Sequence, residues 1–254
     1  MMLVDTHCHL DTFDDVDSIL CKAEACSVGA VVAVSQDLES MRISLDIRRK
    51  RAGLVWLGLG LHPTWVVQNQ NDLPSALDWL KNNSAQADVI GEIGLDFKCA
   101  VEIQQQELQR RILEIQFDIA DQVRKPVNLH SRRSQRQTLE LAVAFKRRTG
   151  LNAQMHWFTD SKKLIRICNN EGIYVSVGPS VINDIKVQQV ALGIDPSLLL
   201  LETDAPVPID GLANHPGRVK QVAESIARLN GCELQDIAEQ TSENFFRFMN
   251  IERT

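Results

Sequence analysis

Eight short apolar runs alternate along the chain with longer stretches whose apolar residues recur at helical spacing. That alternation argues for repeated strand and helix units around a parallel sheet. The runs cover 3–7, 31–35, 54–62, 89–93, 126–130, 152–156, 173–177 and 198–204. Each is nearly continuous in hydrophobicity, as expected of strands covered on both faces. Between them Val16, Ile19, Leu20 and Ala23 form one helical stripe, Leu108, Ile112, Ile115 and Ile119 another, and Val219, Val222, Ile226 and Leu229 a third. A last helix, with Leu234, Ile237, Ala238, Thr241 and Phe245 on one face, follows the eighth unit and is expected against the outside of a barrel. No Ser/Gly linker or low-complexity tract divides the 254 residues. The expectation is one domain over 1–254, an α/β fold closed as a single (β/α)8 TIM barrel with an extra C-terminal helix. An open doubly wound sheet is the alternative.

Hydrophobic residues at 44% and charged residues at 24% supply one large core and exclude a disordered chain. Lys and Arg total 27 against 33 Asp and Glu, a formal net charge of -6, so the surface as a whole repels polyanions. A nucleic-acid substrate then requires a local positive site, which bound metal would supply. The six cysteines, Cys8, Cys21, Cys26, Cys99, Cys168 and Cys232, include no Cys-x-x-Cys pair. Met1-Met2-Leu3-Val4 runs directly into Asp5 and His7 instead of an apolar signal region, and no run approaches membrane-spanning length. The reading is a cytoplasmic protein that does not enter a membrane, with no obligate protein partner evident.

An imidazole or carboxylate in an apolar strand is costly unless paired or bound to metal, so polar residues at the ends of these runs carry information. His7, His9, His62, His130 and His156 stand at or just past the carboxyl ends of runs one, three, five and six, and His215 follows run eight. In a barrel those ends share the face where active sites are built. His7 and His9, two apart on a strand, point to the same side and can share one ion. Glu92 is a carboxylate inside an apolar run, flanked by Gly91 and Gly94, and as a ligand it could bridge two ions. His130 and His156 would complete the second site. Glu202 and Asp204 also face one way, placing Asp204 at the metal and Glu202 a layer deeper. Four imidazoles and two carboxylates suit two divalent ions, with Zn, Mn, Fe or Ni favoured by histidine and Mg not excluded.

The ordered motifs Asp5-Thr6-His7-Cys8-His9-Leu10, Gly60-Leu61-His62-Pro63, Gly91-Glu92-Ile93-Gly94-Leu95-Asp96, Leu129-His130-Ser131-Arg132, His156-Trp157-Phe158-Thr159 and Leu201-Glu202-Thr203-Asp204-Ala205-Pro206 resemble those of the TatD family of metal-dependent hydrolases. Ser242-Glu243-Asn244-Phe245-Phe246-Arg247 is similar to the family's closing helix. The stretch from His130 to Arg133 and the loop from Asp204 to Gly211 look most like the YjjV branch. The resemblance implies a barrel of amidohydrolase type, a one- or two-metal centre and hydrolysis of phosphoester bonds, with DNA ends among the substrates. Its ligands fall on His7, His9, Glu92, His130, His156 and Asp204, the six already chosen. Asp204 is the expected general base acting on a metal-activated water, with Glu92 as the bridge. His62, Arg132, Glu202, His215 and Arg218 are the candidate substrate-binding or supporting residues. Where the family carries a basic stretch after strand eight, this chain keeps only His215 and Arg218. Hydrolysis of a C–N or lactone bond in a small metabolite is therefore the alternative reaction.

Overall fold

In the computed structural model, residues 1–159, 162–209 and 211–251 are described; Asp210, in the loop that carries part of the resemblance after the eighth run, lies outside them. The chain opens with β1 (Leu3–Cys8), α1 (Val16–Ala25), β2 (Val28–Ala33), α2 (Leu38–Lys50) and β3 (Val55–Leu59). It continues through α3 (Pro63–Gln68), α4 (Leu73–Asn83), β4 (Val89–Asp96), α5 (Ile103–Val123), β5 (Val127–Arg132) and α6 (Gln135–Thr149). The last part holds β6 (Ala153–Met155), α7 (Lys162–Glu171), β7 (Tyr174–Val177), α8 (Ile185–Gly193), β8 (Leu199–Leu201), α9 (Val219–Asn230) and α10 (Leu234–Met249).

The strands lie side by side in chain order from β1 to β8, and each neighbouring pair is parallel. Backbone bonds then join the last strand region to the first: the Asp204 amide donates to the His7 carbonyl at 2.9 Å and the His9 amide to the Ala205 carbonyl at 2.8 Å. The result is the expected (β/α)8 barrel, and the open-sheet alternative fails at this seam. Strand side chains such as Val31, Leu57, Ile90, Leu129, Val175 and Leu200 are fully or almost fully buried between barrel and helices. α10 packs Phe245 and Phe248 inward, and its Asn244 donates to the carbonyls of Pro196 and Leu199 at 2.7 Å each, fixing it to the chain entering β8.

Several boundaries differ from the sequence expectation. β2 begins at Val28 and ends at Ala33, and β3 ends at Leu59, leaving His62 in the following turn. β4 runs on to Asp96 because Gly94, Leu95 and Asp96 pair with His130, Ser131 and Arg132 of β5. Gly94 permits this closeness: at φ +150° it adopts a conformation rare for other residues, and a Cβ there would meet the His130 carbonyl oxygen at 2.1 Å. β8 is short because Asp204 turns at φ 50°, so Glu202 and Asp204 do not share a strand face as expected. On α5, Ile112 and Ile119 are buried as expected, but Ile115 is 38% exposed and Leu113 and Phe117 widen the packing stripe in its place.

Candidate metal centre

His7 reaches the barrel interior from β1 fully buried, and its Nδ1 lies 2.9 Å from the Asn128 side-chain oxygen on β5. Asn128 donates in turn to the Thr6 carbonyl at 3.1 Å, so the imidazole is held by an amide that is itself held. This leaves His7 Nε2 buried, pointed at the mouth and without a hydrogen-bond partner. His9, one residue past β1, brings its Nε2 within 3.2 Å of Asp204 Oδ1, and His7 Nε2 lies 3.4 Å from the same oxygen. Asp204 can reach both because of its left-handed backbone, a conformation aspartate tolerates better than most residues.

Glu92 stands between two groups of imidazoles. Its Oε2 lies 3.6 Å from His7 Nε2 and 3.5 Å from His9 Nε2. Its Oε1 lies 2.8 Å from His130 Nδ1, 2.9 Å from His156 Nε2 and 3.6 Å from His62 Nε2. One carboxylate thus offers a separate oxygen to each side. His7 and His156 stack across the middle, their ring centroids 3.9 Å apart.

Burial works against every charge here, and mutual pairing decides the outcome. The imidazoles of His62, His156, His7 and His130 outweigh burial and hold the Glu92 carboxyl well below its ordinary range. Burial would likewise raise Asp204, but the His9 hydrogen bond and the neighbouring imidazoles lower it. His9, His130 and His156 are raised, burial being overcome by Asp204 and Glu92 for His9, by Asp96 and Glu92 for His130, and by Glu92 and Glu202 for His156. Ionised carboxylates facing imidazole nitrogens, with the His7 Nε2 lone position unused, form a donor set suited to divalent cations. His7, His9 and Asp204 form one group able to hold an ion, His62, Glu92 and His130 a second, and His7, His156 and Glu202 a third.

His62 differs from its neighbours. As the cap of α3 it accepts the Thr64 amide on Nδ1 at 3.1 Å, and burial drives its pKa down to about 3. The neutral ring therefore presents Nε2–H toward the cavity, a donor instead of a ligand. Below the centre, Glu202 is fully buried, accepts the Trp157 amide at 2.6 Å and the Ser176 hydroxyl, and stands 3.7 Å from His156 Nδ1. A cavity of about 530 Å³ opens above, lined among others by Gln36, Thr64, Asp96, Arg132, Gln135 and Trp157.

The structure brings together His7, His9, Glu92, His130, His156 and Asp204, with His62 and Glu202 adjoining and Arg132 on the wall. His215 and Arg218 are not brought there. Their loop has already descended along α1: Gly217 lies beside Cys26 at the end of that helix, burial and the Lys22 charge on α1 lower His215, and Arg218 Nε donates to Gln221. Asn128 and Asp96 escaped the sequence reading. Asn128 lies inside a strand like any core position, whereas Asp96, a carboxylate ending a fully buried strand, carried a signal.

A sequence profile described as TatD related DNase matches residues 4–250. The chain belongs to the TatD family. It is accordingly a metal-dependent hydrolase acting on ester bonds. It is similar to the uncharacterized metal-dependent hydrolase YcfH of Escherichia coli K12, 33% identical over 99% of this chain and 97% of that protein. The human deoxyribonuclease TATDN3 is 30% identical, covering 95% of this chain and 92% of its own. The crystal structure of the TatD homolog YjjV from Escherichia coli superposes with a TM-score of 0.87 over 98% of both chains; at 24% identity that likeness is one of fold. The TatD assignment and the barrel geometry agree on a mouth built from strand ends.

Proposed function

We propose that this TatD protein hydrolyses phosphodiester bonds at DNA ends, using two divalent ions held across Glu92. The observation that carries the reading is the division of the Glu92 oxygens, Oε2 toward His7 and His9 and Oε1 toward His130 and His156. When bound, such ions would act as Lewis acids toward phosphoryl oxygens and lower the pKa of water. His7, His9 and Asp204 would hold one, His130 and His156 the other. Asp204, kept ionised by its imidazole neighbours, accepts the proton of the attacking water as general base. His62 offers Nε2–H to a phosphoryl oxygen, and Arg132 binds a second one from the cavity wall. The deoxyribonuclease name of the human relative supports DNA as substrate.

We read residues 1–254 as one catalytic unit, supported by ligands drawn from β1 through the turn after β8. Among the described residues no helix is long and apolar enough to cross a membrane. The six cysteines are all free thiols, which fits a reducing compartment such as the cytoplasm. A second reading, hydrolysis of a neutral lactone or amide, is favoured by the lining: among the described residues Arg132 is the one Lys or Arg on it, beside neutral Gln36, Thr64, Ser131, Gln135 and Thr159.

Elemental analysis of purified protein, followed by assay on bis-p-nitrophenyl phosphate and on end-labelled DNA, tests the proposal. Two equivalents of metal with metal-dependent phosphodiester cleavage are expected. Metal without such cleavage, together with turnover of lactones or amides, would transfer the function to the second reading.

A further inference from the structure

We infer that Asp96 is a positioning residue that selects which ring nitrogen His130 offers to the centre. This rests on the two-ion reading above. The His130 ring meets different carboxylates at its two nitrogens: Nδ1 lies 2.8 Å from Glu92 Oε1 and 3.3 Å from His156 Nε2, whereas Nε2 lies 3.2 Å from Asp96 Oδ2. A neutral imidazole has one N–H and one lone pair. Donation of Nε2–H to Asp96 leaves the lone pair on Nδ1, aimed where Glu92 and His156 converge. A carboxylate faces each nitrogen, so without an ion either tautomer leaves one lone pair against an oxygen; with an ion shared by Nδ1, Glu92 and His156, only the Nε2–H tautomer gives the ion a lone pair and Asp96 a donor.

Asp96 is held rigidly enough for this task. Its Oδ1 accepts the amides of Lys98 at 2.8 Å and Cys99 at 3.1 Å, which leaves Oδ2 for His130. Its backbone is gripped by Gln109 of α5, which accepts the Asp96 amide at 3.0 Å and donates to the Asp96 and Pro63 carbonyls at 3.3 and 3.0 Å. Residue 96 as a whole is only 3% exposed. The partners behind the other ligands differ: His7 is backed by the neutral amide of Asn128, and Glu202 lies behind His156. A carboxylate behind a ligating imidazole orients the ring and strengthens it as a donor. The contribution of Asp96 is therefore confined to the ion on the His130 side.

Asp96→Asn separates this role from simple packing. Asparagine keeps the shape and, with its oxygen on the Lys98 and Cys99 amides, turns an NH2 toward His130 Nε2, which favours the wrong tautomer. Zinc-loaded wild type and variant are compared by long-range proton–nitrogen NMR of the imidazoles, and zinc affinity is measured by chelator competition. Wild type is expected to carry the proton on Nε2 and zinc on Nδ1. In Asp96→Asn one zinc should weaken by about 10- to 100-fold while the other is unchanged, with the metal-free variant still folded by circular dichroism. Asp96→Ala, which removes the partner without inverting it, should weaken the same zinc by less. Zinc on Nε2 in wild type, wild-type affinities in Asp96→Asn, or equal weakening of both ions would overturn the inference. A wild type that binds one zinc sinks the two-ion reading itself, and the imidazole spectrum then still decides whether Asp96 holds Nε2–H.

Discussion

Asp204 has two jobs that a single substitution can separate. One oxygen lies between His7 and His9, and the carboxylate is also the proposed base. Asp204→Asn keeps an oxygen for the ligand position but removes proton acceptance, so kcat should fall by roughly 10²- to 10⁴-fold, with most metal retained. Full activity in that variant would remove Asp204 from the base role. Glu92→Ala deletes the shared ligand, and elemental analysis should then find one equivalent of metal instead of two. These residues were legible in the sequence because carboxylates and imidazoles are out of place at apolar strand ends. That His215 and Arg218 do not line the cavity was hidden for a related reason: a loop following a strand begins at the mouth, but nothing in residue order tells how soon it leaves. Asn128 could not be read, since a buried amide inside a strand has many structural uses.

The β4–β5 pair shows how an element places a ligand. Gly94 lets β4 run beside the His130 backbone closely enough to extend the pairing to Asp96 and Arg132. Gly94→Ala would force a methyl against the His130 carbonyl and penalise the positive φ, so stability should drop by more than about 2 kcal/mol. Urea unfolding would measure the loss, and a wild-type midpoint would show that the strands can part without cost. On the helix side, Gln109 and Gln116 lie seven apart on α5, a spacing that puts them on one face. Gln116 accepts the Leu61 amide at 2.8 Å and donates to its carbonyl at 3.2 Å, while Gln109 ties Pro63 to Asp96. The pair brackets His62. Apolar periodicity could not disclose this, because the stripe expected on α5 counted only hydrophobic residues.

For the whole molecule, the metal-free centre stores protons where ions would sit. His9, His130 and His156 have folded pKa values above their ordinary 6.5. Their contribution to stability is complete below that value and is lost as pH rises through the raised ones. His62, lowered to about 3, acts oppositely, but only below 6.5. The thermal midpoint of chelator-treated protein should therefore decline as pH rises above 6.5, whereas excess zinc should stabilise more strongly over that range because protons no longer compete for the ligands. A flat profile without metal would contradict the proton inventory. The barrel itself was readable from eight apolar runs, since each strand buried on both faces leaves a run that loops do not imitate. Exact strand ends were not, because β4 is lengthened by backbone pairing and β8 is cut short by a turn at Asp204.

The seam of that barrel also sets an order of events in the life of the chain. Cys8 and Ala205, which meet there, are 197 residues apart. A growing chain presents His7 and His9 almost at once but lacks Asp204 until most of its synthesis is done. Two histidines on an unpaired strand make a poor trap for a divalent ion, so the nascent protein is shielded from capturing the wrong one early. On the two-ion reading, the ion held with Asp204 can be selected only after the first and last strands have found each other.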